Sequence, residues 1–359
     1  MEKKLIIHII DSLSLGGAEI LLRNTLDLLT EYDHLVIYFQ EGNDIRPGFP
    51  STTRFVQIRY KGWGDVFKTV MRLRAIIRNE NPLLVHSHLL LSSVLARLAT
   101  PRNISLVNTL HSIYSIDAFR KNRKSLWVER KTLKKHHSLV GVSRFVLDDY
   151  LSFVPFKGKR YVLYNFLPDR FFQTTKNTRN EHEDLKCIAV GNLKEAKNYQ
   201  YLLEIMAAIS SSPVTLDIYG DGSLKKILQE EIDKKKLRVR LCGTSDDTPA
   251  IFSEYDLFIQ ASSHEGFGLS VIEAIAAKLP LFVSDIPIFR EITSELAHFF
   301  PLNDSGRAVA ILHSLIKNTE MRNLYIDEAY KMAKEKYSQA GYHSQLLKIY
   351  TSALSEKIN

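Results

Sequence analysis

Two cysteines in 359 residues exclude a disulfide scaffold. Both Cys187 and Cys242 sit in apolar, strand-like runs and read as buried free thiols, which suits a reducing compartment. Long hydrophobic runs are lacking too. After Met1-Glu2-Lys3-Lys4 only a short apolar stretch follows, interrupted by His8 and stopped by Asp11. That is too short for the core of a secretory signal and far too short to span a bilayer, so a cytoplasmic chain is expected. Internal repeats and low-complexity tracts are absent, which excludes solenoids and arrays. Acid is scarce in one half: residues 1–175 hold 26 Lys and Arg against 15 Asp and Glu, a balance of +11. Residues 176–359 hold 22 against 25, a balance of −3. The first half is therefore the one expected to face an anionic surface. No nucleic-acid recognition motif accompanies the charge, so nucleic acid is not an expected partner.

What is present is an ordinary globular composition, 45% hydrophobic and 25% charged, in a chain whose length suits two domains. The apolar pattern alternates between short continuous runs and helical spacing. In the first half, strands are predicted at Lys4–Ile10, His34–Phe39, Arg54–Ile58, Leu83–His88, Ser105–Leu110 and Leu139–Val142. Helices fit Ala18–Leu29, Asp65–Asn79, Leu89–Ala99 and Leu126–Lys135. A polar stretch near Phe166 to Asp184 reads as a linker. The alternation then restarts with strands at Leu185–Val190, Thr215–Tyr219, Val239–Cys242, Leu257–Ala261 and Leu281–Ser284, interleaved with helices, and turns helical after Pro301. This is the α/β pattern of two doubly wound, Rossmann-like halves, whose ligand cleft is expected at the C-terminal ends of the strands.

One stretch organises the rest: Ser262-Ser263-His264-Glu265-Gly266-Phe267-Gly268-Leu269-Ser270-Val271-Ile272-Glu273-Ala274. It runs from a strand through a glycine-bearing turn into a helix stopped by Pro280. Unpaired N–H groups and the helix dipole make such a turn a seat for an anion. Gly266 and Gly268 allow close approach of the backbone. Glu265 and Glu273 supply carboxylates that accept hydrogen bonds from hydroxyl-rich ligands. Other candidates also fall just after strands. They are Gly16 and Gly17 in Leu15-Gly16-Gly17-Ala18-Glu19, Asn192 and Lys197 in Gly191-Asn192-Leu193-Lys194-Glu195-Ala196-Lys197, Gly220 in Tyr219-Gly220-Asp221-Gly222, His86 and His88, and His111. Lys197 offers a point charge to a diphosphate. Histidines gathered at strand ends are also compatible with a metal, but no acidic or cysteine partner falls at ligand spacing. His86 and His88 read equally as hydrogen-bonded core histidines. The basic run Arg120 to Lys135, carrying Phe119, Leu126, Trp127, Val128 and Leu133, fits either a solvated helix face or an anionic membrane surface.

The pattern Glu-Gly-Phe-Gly-x4-Glu-Ala, followed by Pro280 and a strand ending Ser284-Asp285, resembles the donor site of retaining GT-B glycosyltransferases of family 4, the group 1 glycosyl transferases. The resemblance extends over nearly the whole chain. It implies a GT-B fold: an acceptor-side domain over 1–170, a nucleotide-sugar donor domain over 171–339, and a helix over 340–359 packing back on the first domain. It implies transfer of a hexose or N-acetylhexosamine from a UDP- or GDP-sugar to a lipid-linked or saccharide hydroxyl acceptor, with retention and without a metal or other cofactor. Gly266, Phe267, Gly268, Leu269 and Lys197 would hold the diphosphate, Glu273 the ribose and Glu265 sugar hydroxyls. His111 would orient the donor sugar. Gly16 and Gly17 would lie by the diphosphate or acceptor, Gly220 by the base, and His86 or His88 on the acceptor side. One departure stands out. Asn192 occupies the place where the family usually has arginine, so Lys197 acts largely alone or Lys194 assists. The rival readings are a nucleotide-sugar epimerase using a similar cleft and a non-catalytic nucleotide-sugar-binding subunit.

Overall fold

The computed structural model describes residues 4–14, 16–42, 45–120, 122–173, 184–245 and 248–355. The chain divides into two compact units, Met1–Phe166 together with Gln339–Asn359, and Leu167–Ser338.

The first unit is built on seven parallel strands: β1 (Lys4–Ser12), β2 (Tyr32–Gln40), β3 (Arg54–Gln57), β4 (Leu84–His88), β5 (Ser105–Leu110), β6 (Ser138–Gly141) and β7 (Lys159–Val162). Their order is β3-β2-β1-β4-β5-β6-β7. Strands β1, β4 and β5 are covered on both faces, which is why they read as continuous apolar runs. Helices α1 (Gly17–Leu28), α2 (Val66–Glu80), α3 (Leu90–Ala99), α4 (Arg123–Thr132) and α5 (Arg144–Phe153) connect them. On one face Leu73 and Ile77 of α2 and Leu95, Ala96 and Ala99 of α3 pack on Ile7, Ile9, Leu35 and Ile37.

The second unit repeats the plan with β8 (Leu185–Val190), β9 (Val214–Tyr219), β10 (Val239–Gly243), β11 (Leu257–Gln260), β12 (Leu281–Ser284) and β13 (His298–Phe300), in the order β10-β9-β8-β11-β12-β13. Its helices are α6 (Tyr199–Ala208), α7 (Lys225–Lys235), α8 (Thr248–Phe252), α9 (Leu269–Ala276), α10 (Pro287–Thr293), α11 (Ser305–Lys317), α12 (Thr319–Asn323) and α13 (Ile326–Lys336).

The last helix, α14 (Gln339–Ser355), returns to the first unit. Tyr342, Leu346, Ile349 and Tyr350 pack against Ile6, Leu84, Val107 and Val140. Polar ties reinforce the contact: the Ser105 hydroxyl donates to the Ala353 carbonyl at 2.8 Å, and the Thr25 and Tyr342 hydroxyls lie 3.1 Å apart.

The sequence-based reading missed α5, β7, α10 and β13. Two are short outer strands with little continuous apolar character, and α10 is seven residues long. Cys187 is buried as expected, but Cys242 is half-exposed because β10 is the outermost strand of its sheet. Residues 174–183 of the expected linker lie outside the described residues.

Candidate active site

Strand order reverses beside β8 in the second sheet, where β9 lies on one side and β11 on the other. In a parallel sheet this is where the loops leaving the strands diverge and open a ligand site. The loops after β8 and β11 carry Lys197 and the 262–268 turn. The Ser263 N–H donates to the Ala196 carbonyl at 2.9 Å, binding the two loops together. Lys197 Nζ lies 2.6 Å from Glu265 Oε1, and both side chains are largely buried. The Ser262 hydroxyl donates to the same carboxylate oxygen at 2.7 Å and accepts from the Gln260 amide at 2.8 Å. Gly191 makes room for the lysine: a Cβ there would come within 2.7 Å of Lys197 Cε.

Gly268 precedes α9 with φ +95, the left-handed region that favours glycine, and an added Cβ would press on Phe289 and Ile292 at 3.0 and 3.1 Å. Gly266 does not share that conformation. The Phe267 ring is buried edge-on to Tyr337 at 5.7 Å between ring centres, so its side chain belongs to the core and only its backbone faces the turn. Leu269 opens α9, and Glu273 follows one turn on. Loss of hydration raises the Glu273 carboxyl to about 7, although the charges of Lys197 and Arg170 pull the other way. Gly220 sits where the chain leaves β9, its N–H donating to the Gly243 carbonyl at 2.7 Å, and the Gly191 N–H donates to the Tyr219 carbonyl at 2.9 Å.

In the first unit the reversal lies beside β1, between β2 and β4. Gly16 caps α1 in an extended conformation, and Gly17 is the first residue of that helix. Next to them is a pair of carboxyls the sequence did not single out. Asp11 accepts from the backbone N–H of Ser92 at 2.8 Å and from its hydroxyl. Glu19 accepts from the Ser12 hydroxyl at 3.4 Å, and burial raises both carboxyls above the usual range. Leu89, joining β4 to α3, holds φ +70, a strained conformation for a branched side chain.

The histidines separate into two kinds. His86 is a core residue: Nδ1 bonds the Tyr350 hydroxyl at 2.8 Å and Nε2 the Thr109 hydroxyl at 2.7 Å, leaving no ring nitrogen for an acceptor. His88 Nδ1 lies 3.2 Å from His111 Nε2, so His88 is buried and positions His111, which is partly exposed where β5 ends. Burial lowers the His111 imidazole to about 4 and holds His8, His86 and His88 well below 6.5, keeping all four neutral near pH 7. His8, His86 and His88 each bring one ring nitrogen within 4.8 Å of the others. With both His86 nitrogens engaged and His8 Nε2 facing His34 Nδ1 at 3.3 Å, only His8 Nδ1 and His88 Nε2 lack partners. Two free nitrogens fall short of the three or four protein ligands a zinc site takes.

Two family models cover this arrangement. The model for Glycosyltransferase Family 4 matches residues 15–170, and that for Glycosyl transferases group 1 matches residues 171–332. The chain belongs to glycosyltransferase family 4. An O-antigen biosynthesis glycosyltransferase of Escherichia coli, WclY, is 26% identical over 179 residues, 48% of this chain and 50% of that protein. The GtfA subunit of a UDP-N-acetylglucosamine–peptide N-acetylglucosaminyltransferase from Limosilactobacillus reuteri is 33% identical over 116 residues, 31% of this chain and 22% of that protein. The matches thus span half or less of these relatives. Anabaena HepE, solved with UDP-glucose, superposes with a TM-score of 0.81 at 17% identity, covering 97% of this chain and 100% of that one. At that identity the likeness establishes the fold, which is GT-B.

For a family 4 glycosyltransferase the departure at Asn192 now has a structural setting. The Lys194 side chain is exposed, whereas Lys197 is turned inward onto Glu265. Of the two lysines, Lys197 is the one built into the site. Arg170, in the short turn Asp169–Gln173 that packs on α9, acts electrostatically on Glu273 and was missed by sequence reasoning. No spacing links residues 170 and 273; only the fold brings them together. No helix among the described residues is long and apolar enough to cross a membrane.

Proposed function

We propose that the chain transfers a hexose or N-acetylhexosamine from a nucleoside diphosphate sugar to a hydroxyl acceptor with retention, in the assembly of a cell-envelope polysaccharide. The Lys197–Glu265 pair beside the N-terminus of α9 carries this reading. It sets one fixed cation and a row of N–H donors where a diphosphate leaving group would gather charge, with carboxylates at 265 and 273 for polyols on either side. Lys197 has three ammonium protons; one is held by Glu265 and the others remain for phosphate oxygens. In this account Lys197, Asn192 and the backbone of Gly266 to Leu269 stabilise the diphosphate in place of a metal, and Gly220 lies near the base. Glu273 accepts from the ribose, Glu265 from the sugar, and neutral His111 hydrogen-bonds the donor sugar near the anomeric carbon. The basic first half favours an acceptor carried at an anionic membrane surface, and the E. coli relative's part in O-antigen biosynthesis points the same way.

Incubation with nucleotide sugars and lipid-linked acceptors, followed by determination of the anomeric configuration of the product, tests the reaction. Retention at the transferred sugar supports it. Recovery of an epimerised nucleotide sugar without acceptor would establish the epimerase reading, and donor binding without turnover on any acceptor would establish the binding-subunit reading. Glu273→Ala is expected to weaken donor binding, whereas Glu265→Ala mainly removes turnover. Identical profiles for the two would refute the division of roles.

A further inference from the structure

Helix α2 is apolar on two sides and buries only one. Thr69, Leu73 and Ile77 face the sheet. On the outside, Trp63 in the turn before the helix is 66% exposed, Phe67 is 79% exposed and Met71 is 49% exposed. Spaced by four, these three side chains form one line along the helix surface. Lys68 and Arg72 stand one residue beyond Phe67 and Met71 and are exposed, as are Lys61 and Arg78 near the ends of the segment. Arg74 is turned away, bonding the Leu98 and Ala99 carbonyls at 2.7 and 3.2 Å. Between residues 61 and 79 the only acid is Asp65, whose carboxylate accepts from the Lys61 backbone N–H at 3.0 Å. An exposed tryptophan and phenylalanine in line, flanked by cations, make the pattern of a helix that lies in a membrane interface.

We propose that the Trp63 turn and α2 form a docking surface for an anionic lipid bilayer. Trp63, Phe67 and Met71 enter the headgroup region, and Lys61, Lys68, Arg72 and Arg78 meet lipid phosphates. The proposal rests on the reading of a membrane-borne acceptor and moves the contact from the 120–135 segment to α2. On α4 a single large apolar side chain, Trp127, is prominently exposed, which gives the cations there little to insert beside. A second copy of the chain is a poorer occupant. The stripe offers a few hundred Å² of apolar side chain, against about 800 Å² per partner in a stable interface, and symmetric pairing through α2 would bring its cations together. Topology gives the docking a use. In a parallel sheet the crossover helix starts at the edge where strands end, so Trp63 and Phe67 lie on the sheet edge that carries Gly16, His88 and His111. A bilayer at α2 would present lipid-linked acceptors to that edge.

The two tryptophans of the chain allow a direct test. Trp127→Phe leaves Trp63 as the sole fluorophore, and Trp63→Phe leaves Trp127. With phosphatidylglycerol-containing vesicles, Trp63 emission should shift to the blue while Trp127 emission stays unchanged, and phosphatidylcholine alone should give a much smaller shift. Phe67→Ser with Met71→Ser should reduce vesicle flotation about tenfold or more through the lost apolar insertion. Lys68→Glu with Arg72→Glu should do so through charge, and added salt should weaken wild-type binding. These variants lie outside the donor site, so nucleotide-sugar binding should be unchanged in them; loss of donor binding in the wild type would instead refute the transferase reading. A shift at Trp127 only, undiminished flotation of the Phe67/Met71 variant, or a concentration-dependent dimer abolished by that variant would overturn the docking proposal.

Discussion

At the residue scale the proposed donor site depends on an ion pair held mostly out of water. Lys197 and Glu265 are 11% and 14% exposed, so removing one partner leaves the other as a poorly hydrated charge. Lys197→Ala is expected to cost about 3 kcal/mol of stability and to weaken binding of a nucleoside diphosphate more than that of the free nucleoside. Lys197→Ala with Glu265→Ala should recover part of the stability but none of the binding, as read by denaturation and calorimetry. Glu273 supplies a pH signature. Its folded carboxyl keeps the proton up to about 7, above the ordinary value of 4.5. Its contribution to stability is therefore present below 4.5 and fades as pH rises through 7, while the ionised form, proposed to accept ribose hydroxyls, gains population over the same interval. Donor affinity should rise across pH 7 in the wild type and lose that dependence in Glu273→Gln. Glu265, Gly268 and Glu273 were legible because one turn–helix junction fixes their spacing in the chain, and Lys197 because it stands in a second strand-to-helix loop of the same kind. Arg170, Asp11 and Ser92 were not, because their partners are made by tertiary packing. The assignment of His86 to the acceptor side illustrates the same limit: its bonds to Thr109 and Tyr350 join residues 23 and 264 positions away.

At the scale of elements, β1 and β4 carry His8, His86 and His88 into the centre of the first sheet, with His111 at the end of β5. The folded state lowers the pKa of all four through burial, so the unfolded chain takes up protons first as pH falls below 6.5. Stability is complete above that value and is lost on acidification, by about 1.4 kcal/mol per pH unit for each histidine that stays neutral. Denaturation curves should therefore steepen in their pH dependence between 6.5 and the His111 value near 4. A flat stability profile over that range would contradict the buried, neutral assignment. The Tyr350 hydroxyl is the element-scale link from α14 to this row, and Tyr350→Phe should destabilise by about 1 kcal/mol through the orphaned imidazole nitrogen. The central strands were readable as apolar runs because helices cover both faces. The outer strands β7 and β13 were not, since an edge needs fewer apolar residues and its boundaries depend on a neighbour.

At the scale of the whole molecule, the two units repeat one topology and place charge differently. The basic balance lies in residues 1–175, and the constellation suited to a nucleoside diphosphate lies in the second unit, after β8 and β11. The two Rossmann-like halves were legible from the strand–helix alternation, and the GT-B architecture through the family resemblance that the 262–274 stretch carries, whereas α5, β7, α10 and β13 were not. The most direct test is a thermal-shift panel of nucleoside diphosphate sugars and free diphosphates, run without and then with divalent metal, on the wild type and on Lys197→Ala and Glu273→Ala. The account expects one donor and its free diphosphate to raise the melting temperature selectively, with or without metal, and both variants to lose the response. No stabilisation by any of them, or stabilisation that persists unchanged in both variants, would contradict the assignment of the donor site.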